Sequence, residues 1–578
     1  MAPGSGPQPH SEPVPPVFVP ADDRVRLGHW LPPRYGTAPH LRVGRGWFPL
    51  LWLIPIAVVL LLAAVAVAVA TRDVPAIHAF LARYPGAPAD VTAVRDGFPG
   101  WLRWQHLLNL FFLVFIIRAG IQILADHPRL YWNRNSTPGT EWFRFQTAVP
   151  RDRYWTAKDD SVTLPGWLGI PGLRHSVGLA RWWHFSCDLL WVLNGAVFYV
   201  LLFATGQWRR LVPMSWAVFP NAVSTAYQYL SLRFPVNHGW LYYNSLQQLA
   251  YFITVFVAAP LAVATGLLQG PAIANRLGAI GRRLHRQTAR SLHFLVLCWF
   301  LFFIAVHVTM VFATGWKQNL NHMFAGFNNA SWRGPAWFAV AMVVLAVLWV
   351  SATPFTLRHA RFVQRAGHLL LARLAGGAER GDVRAQYTRA DISPFFWPNG
   401  RLPESAEYEA LVAGQFAAYR LRVGGLVAAP AEFSLADLRA MPQQRQITEH
   451  FCIQGWSGVA EWGGVPMRDV LALTRPLPDA RYAVFYSFAP GSEGGEYYDV
   501  HQLANMRHHL TLLALDMNGQ PLSIIHGAPL RLRCENELGF KQVKWISAVE
   551  FVSEFRALGA GQGGYNEDHE FYGYRAPL

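Results

Sequence analysis

His293 and His307 lie fourteen residues apart in one apolar run. On an α-helix that spacing means about 40° of azimuth and about 21 Å of height. The two imidazoles therefore share a face and sit near opposite ends of any segment that crosses a bilayer. His106 and His184 lie in two further apolar runs. A histidine in lipid is costly without a partner, and a single one serves as well to bond a neighbouring helix. Four of them at matched positions suit a different chemistry, the ligation of iron by facing imidazoles across a helix bundle.

A second chemical signal is Cys452, in the segment 450–466 (HFCIQGWSGVAEWGGVP). A thiolate is a soft ligand for a transition metal, and the surrounding glycines let backbone approach a bulky group. Taken alone, such a cysteine is more often a small buried apolar side chain. The other cysteines, Cys187, Cys298 and Cys534, form no CxxC pair with it, so neither a disulfide framework nor a cysteine zinc site is indicated.

The elements that must hold these groups follow from composition. Of the 578 residues, 52% are hydrophobic and 15% charged, too apolar for an ordinary soluble chain. Six runs are long enough for membrane helices, at 47–70, 100–125, 184–206, 246–269, 290–313 and 335–357. Alternate loops hold 24 basic residues on one side and 8 on the other. The basic side, with both termini, is expected to be cytoplasmic, in the inner membrane of a bacterial-type cell. The same bias accounts for the net charge of +15 without nucleic acid.

Topology then sorts the histidines. The run with His106 enters from outside and those with His184 and His293 from inside. His106 pairs with His307 near the outer face and His184 with His293 near the inner face. Two such haem sites would carry electrons across the bilayer. Arg118, on the His106 helix, either meets a haem propionate or snorkels to the surface. Asp188 and Asn194 are candidates for quinone or water, and His285 is a substitute ligand.

The expected architecture is multi-domain: a disordered basic segment over 1–46, a six-helix all-α bundle over 47–357, a basic helical linker over 358–390, and an α+β domain over 391–578. In the last, β-type runs such as 482–488 and 543–552 alternate with Gly and Pro turns.

The helix pattern and histidine placement over 100–313 resemble the cytochrome b subunits of membrane formate dehydrogenases, hydrogenases and thiosulfate reductases. That resemblance implies haem b and exchange with a quinone. The Cys452 segment resembles the molybdenum-ligand loop of the sulfite oxidase family. So do 395–403 (FFWPNGRLP), 518–522 (NGQPL), 526–532 (HGAPLRL) and 539–545 (GFKQVKW), in the family's order. The resemblance implies that Cys452 binds molybdenum and is the catalytic residue. It implies that His526, Arg531 and Lys544 hold the pterin and its phosphate, helped by Asn399, Ser487, and the backbone of Gln542 and Val543. Relatives include peptide methionine sulfoxide reductases. The basic residues that hold sulfite in the animal enzymes have no evident counterpart here, and 490–498 (PGSEGGEYY) is partly acidic. The tail 563–572 (GGYNEDHEFY) either lines the pocket or docks on the domain.

The combined expectation is a membrane-bound molybdenum oxidoreductase that moves an oxygen atom to or from a small substrate and exchanges electrons with quinone through two b haems. A membrane electron carrier with a non-catalytic docking domain is the alternative, and a transporter with a regulatory domain is a third.

Overall fold

The computed structural model describes residues 36–575 except 87–95, 151–152, 173–175, 234–239, 278, 379–386 and 493. Most of the segment 1–46, expected to be disordered, and the loop histidines His175 and His238 lie outside these residues. The part of that segment that is described corrects the expectation. His40–Val43 (β1) and Gly46–Pro49 (β2) form an antiparallel hairpin, and β1 also pairs with Phe143–Arg144 (β4), which pairs in turn with Arg129–Leu130 (β3). Trp47 begins no helix; its ring lies under the Arg144 guanidinium, 3.8 Å from the centroid.

Among the described residues, six helices are long and apolar enough to cross a membrane: Leu50–Thr71 (α1), Gly100–Asp126 (α2), Val177–Ala204 (α3), Ser245–Leu268 (α4), Arg286–Ala313 (α5) and Arg333–Arg358 (α6). At 1.5 Å per residue each exceeds the roughly 30 Å hydrocarbon layer. α3 is capped by the Ser176 hydroxyl, which accepts from Leu179 N. α5 is capped by His285, whose Nδ1 accepts from Thr288 N. His285 is therefore a cap rather than a residue facing another histidine. α4 contains a π turn over Ile253–Ala258, and the Val255 carbonyl accepts from the Tyr199 hydroxyl. Beyond α6, Ala360–Ala378 (α7) packs back on α3.

The chain then becomes strand-rich. One sheet has the order β10-β9-β14-β5-β6, from Glu496–Gln502, Tyr482–Pro490, Ile546–Val552, Arg420–Gly425 and Ala431–Ser434. Its β14–β5 pair is parallel. The other joins Gln520–Pro521 (β12), Leu512–Met517 (β11), Ser457–Pro466 (β8) and Gln444–Phe451 (β7), with Arg531–Arg533 (β13) also on β11. Val423, Phe485, Val549 and Phe551 of the first sheet share one buried cluster with Val465, Leu513, Leu515 and Leu532 of the second. The second sheet carries Cys452, and its β7–β8 turn faces the membrane helices.

Candidate functional site

Cys452 opens the turn between β7 and β8. Its N–H donates to Trp456 O at 3.1 Å, and Gly455 N donates back to Cys452 O at 3.1 Å. Gly455 has φ +115°, and a Cβ there would meet the Arg290 guanidinium at 3.0 Å. Only glycine lets the turn lie this close to the helix. Cys452 is 2% exposed. Burial pushes its thiol up to about 12, against the opposing pull of Arg286. A soft cation on the sulfur would reverse that preference, and Asn399 Nδ2 lies 3.9 Å from it.

Beside it, the residues expected to hold a pterin phosphate are gathered. Lys544 Nζ donates to the carbonyls of Asn399 and Ile525. Arg531 Nη1 donates to His526 O at 2.9 Å, its Nε has no partner among the described residues, and its guanidinium lies 4.7 Å from the Trp462 centroid. Gly527, at φ +109°, leaves room for both: a Cβ would meet Lys544 Cβ at 3.0 Å and Arg531 Cβ at 3.2 Å. Burial, with Arg533 alongside, holds Arg531 well below its ordinary range. Burial and Arg531 do the same to Lys544. Burial, Arg531 and Lys544 bring His526 down to about 3. These shifts share one cause beyond burial, cationic groups crowded together, and an anion such as a phosphate would relieve it. The donor set therefore fits the group.

The remaining pterin candidates sit around this cradle. The Ser487 hydroxyl donates to Lys544 O at 2.8 Å and so steadies the segment that presents the lysine. The Val543 carbonyl accepts from Leu532 N at 2.8 Å. Gln542 Nε2 donates to Cys534 O and Glu537 O.

In the bundle, the four histidines meet in two pairs. The ring centroids of His184 and His293 are 6.3 Å apart, and those of His106 and His307 are also 6.3 Å apart. Two metal–imidazole bonds of about 2 Å, plus about 1.2 Å from each nitrogen to its ring centre, give about 6.4 Å across one metal. The spacing fits a bis-imidazole iron at both levels. His184 Nδ1 is bonded to Ile116 O and His293 Nδ1 to Thr265 Oγ1, each at 3.0 Å. Such bonds orient an imidazole ligand. Each inner ring also lies against a glycine. A Cβ on Gly120 would meet His184 Cε1 at 3.1 Å, and one on Gly266 would meet His293 Cε1 at 3.6 Å. The His307 ring stacks on Phe303 at 5.6 Å. Asp188 Oδ2 lies 3.4 Å from His184 Nε2.

Arg118 departs from expectation. It is fully buried, so it does not snorkel. Its Nη groups donate to Trp349 O, Gly166 O and Thr353 Oγ1, pinning α2 to α6 and to the loop before α3. The snorkelling reading gives way to a cross-helix tie, and among the described residues the Arg118 Nε has no partner, which leaves a donor for a haem propionate.

Sequence reasoning missed how the two halves join. Arg286, the first residue of α5, donates through Nη1 to Cys452 O at 2.8 Å, and Gln287 Nε2 donates to Gly455 O at 2.9 Å. Gln454 Nε2 reaches Asp126 O at 3.5 Å. Tyr572 of the tail packs in the same buried cluster as Cys452 and Val177. The tail also docks: Ser176 Oγ donates to Glu570 O and Trp182 Nε1 to Phe571 O, both at 2.8 Å. Both readings of the tail therefore describe part of it. The arginines looked like orientation charges because nothing local distinguishes one that meets a loop 166 residues away.

Comparison with known proteins agrees with this division. Residues 97–326 match the family described as prokaryotic cytochrome b561, and residues 410–557 match the oxidoreductase molybdopterin-binding domain. A putative protein-methionine-sulfoxide reductase subunit YedZ1 of Azospira oryzae is 35% identical over 155 residues, covering 27% of this chain and 55% of that protein. The protein-methionine-sulfoxide reductase catalytic subunit MsrP of Xanthomonas axonopodis pv. citri is 34% identical over 146 residues, covering 24% of this chain and 45% of its own. The chain thus spans about half the length of the curated relatives it matches. Among solved structures, the sulfane dehydrogenase SoxCD of Paracoccus pantotrophus aligns at 22% identity over 24% of this chain and 39% of that one, with a TM-score of 0.22.

Proposed function

For a membrane oxidoreductase that joins a cytochrome b561 domain to a molybdopterin-binding domain of the sulfite oxidase type, we propose oxygen-atom transfer on a small substrate at a molybdenum–pterin held by Cys452, with electrons exchanged with quinone through two b haems. One observation carries the reading. The inner histidine pair stands on the helices that abut the Cys452 turn, and α5 also carries His307, which faces His106 of α2 about 21 Å further along the helix.

A bound molybdenum–pterin supplies two-electron redox chemistry coupled to oxygen transfer. The chain does the rest. Cys452 offers the thiolate, and Arg531, Lys544 and His526 bind the phosphate end, with Asn399 beside the sulfur. The backbone of Gln542 and Val543 completes the cradle behind them. The apolar shell of Phe396, Trp397 and Trp456 excludes water. His184 with His293 and His106 with His307 would ligate the haem irons. The Arg-rich loops lie on the side of the bundle that meets the strand-rich domain, which supports a cytoplasmic position for that domain.

Metal analysis and reduced-minus-oxidised spectra test the composition: one molybdenum and two b haems per chain are expected. A panel of sulfite, sulfoxides, N-oxides and oxyanions, read from the haem redox state, tests the activity. Cys452→Ser should abolish substrate-driven haem changes while leaving both haems reducible by quinol. Full turnover by that variant would sink the reading.

A further inference from the structure

The helix that follows the last membrane span, α7, has two unlike faces. Ala360, Val363, Gln364 and Gly367 form the inner one, buried against α3 and the tail. Ala360 and Val363 share a cluster with Leu179 and Phe571, and a Cβ on Gly367 would meet Trp182 Cε3 at 2.6 Å. Arg361 and Gln364 hold the tail by donating to Glu567 O at 2.8 Å and Tyr572 O at 2.7 Å.

The outer face carries Phe362 and Leu369, seven residues and so about 20° of azimuth apart. They are 61% and 79% exposed. Leu370, also exposed, flanks them on one side and Arg365 on the other. A row of large apolar side chains left in the open marks a surface that something covers. Two observations identify the cover. The row continues the lipid-facing surface of α6: Val343, Val347, Val350 and Phe355 are exposed there, and the Phe355 ring lies 6.1 Å from that of Phe362. Depth is the second. Gly367 meets α3 at Trp182, two residues and about 3 Å of helix from His184. α7 therefore lies close to the level of the inner histidine pair, at the edge of the bilayer.

Charge specifies the cover further. Arg358 and Arg365 are exposed, and among the described residues neither guanidinium forms a hydrogen bond or ion pair. The sequence from 355 to 378 contains no Asp or Glu. The face thus offers positive charge alone, next to an apolar row at headgroup depth. Such a pattern suits a helix that lies in the plane of an anionic leaflet.

We propose that α7 is an in-plane anchor whose outer face binds anionic phospholipid in the leaflet nearest the strand-rich domain. Phe362 and Leu369 enter the acyl chains, and Arg358 and Arg365 meet the headgroup phosphates. The inference stands on the membrane helices alone and goes beyond the oxygen-transfer reading. Because the inner face of the same helix grips the tail, bound lipid braces the seam between the two halves.

The test uses the full-length, cofactor-loaded protein and two readouts. In vesicles of phosphatidylcholine and phosphatidylglycerol, a bimane on Leu369→Cys, made in a Cys298→Ser background, is quenched by brominated acyl chains and shielded from aqueous iodide. A bimane on Glu407→Cys, exposed on the strand-rich domain, shows the reverse. In detergent, a fluorescent phosphatidylglycerol binds the wild type more tightly than the matching phosphatidylcholine. Its Kd rises at least fivefold in the double variant Arg358→Gln and Arg365→Gln, and the phosphatidylcholine Kd does not change. Haem content equal to wild type reports an intact bundle, and the bimane arm needs no arginine variant. Iodide reaching position 369 as readily as position 407 overturns the anchor. Equal phosphatidylglycerol affinity in wild type and double variant overturns the headgroup assignment, as does a wild type that does not distinguish the two lipids. A dimer that Phe362→Ser with Leu369→Ser converts to monomer also overturns the proposal, since a second copy of the chain then covers the row.

Discussion

Arg286 and His293 stand on one face of α5, seven residues and about 10 Å apart. The first bonds the carbonyl of Cys452, and the second faces His184 with 6.3 Å between ring centres. One rigid helix thus links the cysteine turn to the inner imidazole pair. In Arg286→Gln both haems should remain, because no histidine contact is touched. Haem oxidation or reduction driven by substrate should slow at least tenfold in stopped-flow measurements, since the turn loses a charge-assisted bond of about 1.5–3 kcal/mol. An unchanged rate would remove Arg286 from the connection.

Gly120 tests the inner pair from the opposite helix. A Cβ there already meets the His184 ring at 3.1 Å, so a branched side chain must displace the imidazole. Gly120→Val should lower haem content to about one per chain, the outer pair being separate in space. Pyridine haemochrome assay reads the result, and two haems retained would contradict it.

The crowded cations predict a composition change. Lys544→Ala and Arg531→Ala each remove a donor proposed for the pterin phosphate. Molybdenum per chain should fall several-fold in each, while the b-type spectrum is unaltered. Elemental analysis of the purified variants decides.

A pH dependence follows from His501, which is buried, shares its Nε2 with Lys541 O at 2.7 Å, and is held well below its ordinary range by burial and Lys541. Its folded pKa is depressed, so the unfolded chain takes the proton first as pH falls below about 6.5. This group therefore lowers stability progressively on acidification from that point. His501→Gln should reduce the slope of unfolding free energy against pH by about 1.4 kcal/mol per pH unit below pH 6.5. Denaturant titrations of the strand-rich domain between pH 7.5 and pH 5, on the order of three points per unit, measure that difference. Equal slopes would contradict the assignment.

How much was legible depended on whether a relationship was local. Helical periodicity and the parity of six spans suffice to predict which histidines face each other, because a fourteen-residue spacing has few geometric outcomes. The cradle of Asn399, His526, Arg531 and Lys544 was legible through short motifs kept in order. Arg286, Gln287 and the Asp126 carbonyl were not. Their partners lie in another domain, and an arginine near a helix end reads as a solvated charge whether or not a turn docks on it. The hairpin at His40–Pro49 was hidden for a related reason, since Trp47–Pro49 is apolar and runs directly into α1. The snorkelling reading of Arg118 failed because two of its three acceptors are backbone carbonyls, which leave no trace in side-chain identity.

The tail is the feature with the widest reach. Residues 567–572 hold α3 through Ser176 and Trp182, and α7 through Arg361 and Gln364. All of them leave the ribosome after every strand of both sheets. The membrane helices must therefore wait, already inserted, with that seam unfilled until translation has passed the last strand. Any quality-control factor that samples newly made chains would meet a bundle whose water-facing end is still open, and it is this late seam, more than the hydrophobic spans, that sets when the two halves become one molecule.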